Sequence, residues 1–217
     1  MNSILKKNVQ FIVASLLLLT LVFAAISPVA TAQAKAKTDP LAFHDAMRKL
    51  WEDHITFTRL FIVSFAGGLP DQGATADRLL QNQVHIGNAI KPFYGDAAGD
   101  QLTALLRDHI LIAVEVLDAA KNNPSALQVA LDRWYANADD IAVFLNGANP
   151  ENWPLEEMRA MLRAHLDLTF REAAAQLGGQ YAASIAAYDE VHLQALEMAD
   201  MLSTGIIKQF PDKFKGG

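Results

Sequence analysis

Leu105-Leu106-Arg107-Asp108-His109-Ile110 has two near-copies in the same chain. Leu50-Trp51-Glu52-Asp53-His54-Ile55 lies before it, and Met161-Leu162-Arg163-Ala164-His165-Leu166 after it. The histidines at 54, 109 and 165 stand 55 and 56 positions apart. Between the copies a second piece recurs. Arg78-Leu79-Leu80-Gln81-Asn82-Gln83-Val84-His85-Ile86 aligns without a gap on Arg133-Trp134-Tyr135-Ala136-Asn137-Ala138-Asp139-Asp140-Ile141, and Tyr188-Asp189-Glu190-Val191-His192-Leu193 reads as a third version behind a shorter loop. A fixed internal period sets the architecture before any local detail does. The chain therefore reads as a two-element unit repeated three times.

Each element has the spacing of a helix. Phe43, Met47, Leu50, Trp51, His54, Ile55, Thr58, Phe61, Ile62 and Phe65 recur at three- and four-residue steps, one stripe of a helical surface. Asp39-Pro40 opens this helix, Asp as cap and Pro in the first turn, and Gly67-Gly68-Leu69-Pro70 ends it. The second helix is expected to be capped by Thr75, kinked or ended at Pro92 and closed by Gly95. The third runs from about Ala97 to Lys121. Ser125 is expected to cap the fourth. Pro154, Glu156 and Glu157 suit the first turn of the fifth, where the helix dipole favours negative charge. Gly178-Gly179 separates it from the sixth, which Pro211 stops. No alternating run calls for a strand.

The expected fold is all-α: a six-helix antiparallel bundle of three hairpins, spanning about 40–95, 97–146 and 154–211 within a domain of 39–212. Short loops between consecutive helices make neighbours antiparallel. Two packings satisfy this. In one, a pseudo-threefold bundle turns the histidines of the odd helices toward a common axis. In the other, a four-helix bundle carries a docked hairpin. The last residues, 213–217, are expected to fray.

The N-terminus reads as a targeting segment. Lys6 and Lys7 precede an uncharged apolar run from Phe11 to Ile26, and Ala30-Thr31-Ala32 follows as a small-x-small cleavage site. This is the pattern of a secretory signal peptide, 1–32, followed by a polar tether, 33–38. The run is shorter than the roughly 20 residues of a spanning helix; uncleaved, it would be the chain's one attachment to a membrane. Cleavage removes two lysines and no acid, leaving an already acidic chain, net charge −6, more acidic still. Location outside the cytoplasm, secreted or in the periplasm or cell envelope, follows as the expectation. The acidic balance argues against a nucleic-acid partner, which would call for a basic face. The chain has no cysteine, so disulfides, thiolate metal sites and cysteine nucleophiles are excluded.

The residues that carry chemistry lie in the apolar stripes. Each odd helix holds a histidine in mid-stripe: His54, His109, His165. Each even helix holds a pair three apart, Asn82 with His85, Asn137 with Asp140, Asp189 with His192, and residues so spaced lie on one face. An unpartnered buried polar group costs about 1–3 kcal/mol, and a domain's whole stability is about 5–15 kcal/mol. Several such groups must therefore satisfy one another, be hydrated, or bind something.

Two readings follow. In the first, His and carboxylate side chains on facing helices hold a metal ion, as bundle cores do. His54, His109 and His165 are then the main ligands. His85, Asp140, Asp189 and His192 add to the same or a second site, and Asn82 and Asn137 orient ligands by hydrogen bonds. Nitrogen and oxygen donors without sulfur suit zinc, iron, manganese or copper(II). In the second, the same residues form a buried His/Asn/Asp network in a structural or interaction module at the cell surface, without a ligand. A metal-dependent enzyme is the weakest reading, since catalysis needs an open coordination position. No paired Glu-x-x-His motifs of a di-iron carboxylate site occur, and no phosphate loop, Gly-x-Ser-x-Gly or His-Glu-x-x-His. Glu52, Asp53 and Asp139 read as a solvated face, and Trp51, Trp134, Tyr188 and Phe61 as core. Thr58 and Thr169 either join the network or bond the preceding carbonyl.

Gln81-Asn82-Gln83, Ile86-Gly87-Asn88-Ala89-Ile90-Lys91-Pro92 and Gly205-Ile206-Ile207-Lys208-Gln209-Phe210-Pro211 resemble segments of a family of exported bacterial all-helical proteins with no settled function. The resemblance covers most of the chain after the targeting segment. It implies an exported helical bundle and carries over no site.

Overall fold

A computed structural model describes residues 37–216. The expected targeting segment and most of the expected tether lie outside the described residues. Six helices account for nearly all of the rest: α1 Pro40–Gly67, α2 Gln72–Tyr94, α3 Asp96–Asn122, α4 Leu127–Ala148, α5 Leu155–Leu177 and α6 Tyr181–Gln209. Among the described residues there is no strand, only an isolated bridge between Thr38 and Phe214. None of these helices is long and apolar enough to cross a membrane.

Local chemistry sets most of the boundaries. The Asp39 carboxylate accepts from the backbone N–H of Leu41 and Ala42, at 3.0 and 3.3 Å, and so satisfies two of the donors a helix start leaves open. At the other end of α1, Gly68 adopts φ 62° and Leu69 N–H closes on the Ser64 carbonyl at 2.9 Å, a left-handed cap that suits glycine. Two expected caps fall elsewhere. α2 begins at Gln72, so Thr75 lies inside it and its hydroxyl donates to the Gln72 carbonyl. Asp71 precedes the helix, but its carboxylate is taken by the Ser64 hydroxyl at 2.8 Å. Ser125 sits in a short 3-10 turn, Pro124–Ala126, and its hydroxyl donates to Asn123 rather than capping α4. Pro92 lies in the last turn of α2, which runs on to Tyr94.

Each helix packs on the next, and α6 packs back on α1, closing a ring; α5 also touches α1 and α3 across the interior. The tightest approach joins α2 and α3. A Cβ placed on Gly87 would lie 2.5 Å from the Gly99 carbonyl oxygen, and one on Gly99 would lie 2.6 Å from that of Gly87. Only glycine lets the two backbones come this close. The end of the chain is not frayed up to Phe214. That residue is buried against Phe43 and Phe93, and Thr38 exchanges backbone hydrogen bonds with Lys213 and Lys215 at 2.9 Å each.

Candidate functional site

The apolar stripes of α1, α3 and α5 carry His54, His109 and His165 into the interior, where they are 3%, 5% and 3% exposed. The residues three before them, Trp51, Leu106 and Leu162, line one small apolar cavity. The residues four after them, Thr58, Ala113 and Thr169, line another. The imidazoles thus form a polar layer between two apolar ones. The rings of His54 and His165 lie 5.8 Å apart, centre to centre. Trp51 packs edge-on against His54 at 5.6 Å, and Trp134 lies 5.4 Å from His109.

Each ring is held at Nδ1 by an amide side chain from the next helix. Asn137 Oδ1 is 2.9 Å from Nδ1 of His109, and Gln194 Oε1 is 2.9 Å from Nδ1 of His165. Each of these amides also donates its NH2 to the carbonyl four residues before the histidine: Asn137 to Leu105 at 3.1 Å, Gln194 to Met161 at 3.2 Å. In the first hairpin two residues divide the task. Asn82 donates to the Leu50 carbonyl at 3.0 Å, while Gln83 contacts Nδ1 of His54 at 3.2 Å. The Gln83 NH2 also bonds Asn82 Oδ1 and the Leu79 carbonyl.

These partners set the tautomers. A carbonyl oxygen only accepts, so His109 and His165 carry their proton on Nδ1 and, when neutral, leave Nε2 as a bare lone pair. His54 faces an amide NH2, so its Nδ1 accepts and Nε2 carries the proton. The contacts that hold the three rings are all made at Nδ1. The layer is held neutral. Burial depresses His54 well below the usual histidine value, and the neighbouring His165 and His109 add to this against the Gln83 contact. Burial, with His165, takes His109 down to about 4 although Asn137 opposes it. Burial lowers His165, opposed by Gln194.

The other expected site residues do not join this layer. His85, Asp140 and Asp189 are exposed, and His85 bonds Gln81 on its own helix at 3.1 Å. His192 is half-buried, stacked on Tyr188, with Nε2 3.6 Å from Glu52. Asn82 and Asn137 are buried and bonded as described. Three residues along a helix is a turn of 300°, so an i,i+3 partner sits about 60° off its mate. The even helices bury too narrow a strip to hold both. Sequence reasoning missed Gln83 and Gln194. The signal was present: an amide follows each core histidine after 29, 28 and 29 positions. Thr58 and Thr169 do not enter the network; each hydroxyl donates to the carbonyl of its own histidine, four residues back, at 2.8 Å.

A second buried polar group lies on α5. Glu172 is fully buried, 3.0 Å from Arg59, which also donates to the buried Ser184 hydroxyl. Burial raises the Glu172 carboxyl to about 7, with Arg59 pulling the other way. Its second oxygen, Oε2, has no partner.

Among the described residues no group of three or more histidine, aspartate or glutamate side chains is placed to hold a metal ion. No protein family, curated protein or solved structure matches this chain.

Proposed function

We propose that the chain is an exported bundle of three duplicated hairpins whose histidine layer binds one divalent transition-metal ion, for handling or sensing of that metal. His54, His109 and His165 are the ligands through Nε2. Asn137, Gln194 and the Asn82–Gln83 pair orient them. The observation that carries the reading is the pinning of Nδ1 of all three core histidines by an amide from the next helix. Metal-bound histidines are held in this manner, the far nitrogen fixed by a hydrogen bond. Two imidazoles sharing an ion at about 2.0–2.1 Å have ring centres roughly 5–6 Å apart, and the His54–His165 separation of 5.8 Å suits that. On this reading His109 would be the third ligand, and His54 would carry its proton on Nδ1 and donate it in a hydrogen bond to Gln83 Oε1, an oxygen without another partner, once that amide is turned about.

The test is metal analysis of untagged protein, followed by thermal unfolding with zinc, copper, iron and manganese. The expected result is about one ion per chain and a rise in Tm, both lost in His109→Leu. No bound metal and no shift with any of the four would overturn the proposal.

One observation favours a second reading, a metal-free network. His54 with its proton on Nε2 brings one donor to a layer where His109 and His165 offer two acceptors, so a single water could bridge the rings. His109→Leu would then lose no metal and would cost only about the 1–3 kcal/mol of leaving Asn137 Oδ1 unpaired.

A further inference from the structure

We infer that the apolar cavity on the Thr58–Ala113–Thr169 side of the histidine layer is a binding site for a small apolar gas of the size of dioxygen. The cavity holds about 30 Å³. A single water needs about 10–15 Å³ measured in the same way, so the space takes one diatomic molecule or one xenon atom. Its wall comes from all three odd helices, including Phe61, Ile110, Val114 and Ala173 besides the three residues named, and from Leu79 and Trp134. No charged group lines it. The two threonines bring hydroxyls, but each has already given its hydrogen to its own helix, to His54 and His165. Trp134 Nε1 is the one donor at this wall that has no partner. A buried water settles where two to four polar partners meet it, and apolar cavities that lack them stay dry and take up xenon or small hydrocarbons. The site is placed with purpose relative to the layer. Thr58, Ala113 and Thr169 are each one helical turn past a histidine, about 5–6 Å along the axis. A bound gas therefore lies one helical turn from the histidine layer, in a cavity whose wall includes none of the three histidines. The cavity itself does not rest on the metal reading.

The test uses the full chain, metal-free, with labelled Ile, Leu and Val methyl groups. Xenon titration should give saturable shifts at Ile110, Val114 and Leu117. Dissolved dioxygen should broaden the same methyls more than exposed ones such as Val129 and Leu193. Ala113→Leu fills the space and should reduce the xenon shifts about fivefold or more. Ala173→Val serves if that variant does not fold. Shifts that never saturate, shifts that survive filling, or a long-lived water at the Ile110 methyls would overturn the inference. Metal analysis of the same preparation reports separately on the histidine layer, so failure of one reading is distinguishable from failure of the other.

Discussion

Asn137 spans two helices with one amide: its Oδ1 lies 2.9 Å from Nδ1 of His109, and its Nδ2 lies 3.1 Å from the Leu105 carbonyl. The ring and the backbone four residues before it are thereby locked to α4 as a unit. Asn137→Leu removes both bonds and leaves a buried Nδ1–H and a carbonyl unpaired. The expected loss is about 1–3 kcal/mol of stability, read by denaturant unfolding. If the layer binds metal, affinity should also fall about 10- to 100-fold, the usual effect of losing a group that orients a ligand. Unchanged stability would show that the amide does not hold the ring.

Acid should unfold the bundle through its histidines. Their folded pKa values lie below the unfolded value, His109 at about 4 against the usual 6.5. The unfolded chain then binds more protons across that interval, so stability is complete above about pH 6.5 and lost as pH falls toward 4. His109 alone contributes about 3 kcal/mol at about 1.4 kcal/mol per pH unit. His54 and His165 act in the same direction. Denaturant midpoints measured from pH 7 to pH 4 should fall steeply, and less so in His109→Leu. A flat profile would contradict the buried neutral layer.

Arg59 is the counter-charge of a fully buried carboxylate. Arg59→Met leaves Glu172 without it, and breaking one half of a buried pair costs about 3–5 kcal/mol. The sign with pH is opposite to that of the histidines. Glu172 has a raised folded pKa of about 7, so its folded form keeps a proton that the unfolded chain has released, and stability drains away as pH rises from about 4.5 through 7. The variant should therefore be hurt more at pH 8 than at pH 5. Equal losses at both would mean that Arg59 contributes packing rather than charge.

Gly87→Ala should destabilise by about 1–3 kcal/mol, the range for an added methyl group in a closed space. Its Cβ would sit 2.5 Å from a backbone oxygen of α3, which cannot rotate aside as a side chain can. Gly73→Ala is the control: nothing lies within 4 Å of its Cβ, so that change should be neutral or slightly stabilising in a helix. A Tm drop in the first variant and none in the second is the expected pair of results.

Much of this was legible in the residues. Asp39-Pro40, Gly67-Gly68 and the 3.6-residue stripes mark helices, because cap chemistry and periodicity are local. The three histidines were legible as a set because Ile55, Ile110 and Leu166 beside them share the same spacing and are equally buried. The partners of those histidines were not legible to the same degree. Asp189 and His192 mimic the Asn137–Asp140 pattern, yet Gln194 supplies the bond, and only the depth of α6 against α5 decides between them. Gln83 is harder still. It stands next to Asn82 and shares with it a task that Asn137 performs alone, a division that no spacing rule predicts. Thr75 and Ser125 misled for a related reason: capping depends on where the neighbouring carboxylate or turn already points, and Asp71 was engaged elsewhere.

Thr38 and Phe214 lie side by side, so the bundle's first and last residues are already neighbours. Each of the three core histidines, meanwhile, is held by the helix that directly follows its own. The order in which the three hairpins are strung is therefore independent of what each of them holds. A circular permutant, opened at the exposed Glu151 and joined by a short flexible linker between the old ends, would keep all three imidazole–amide pairs in place. Such a rearranged chain would separate connectivity from chemistry in a single molecule.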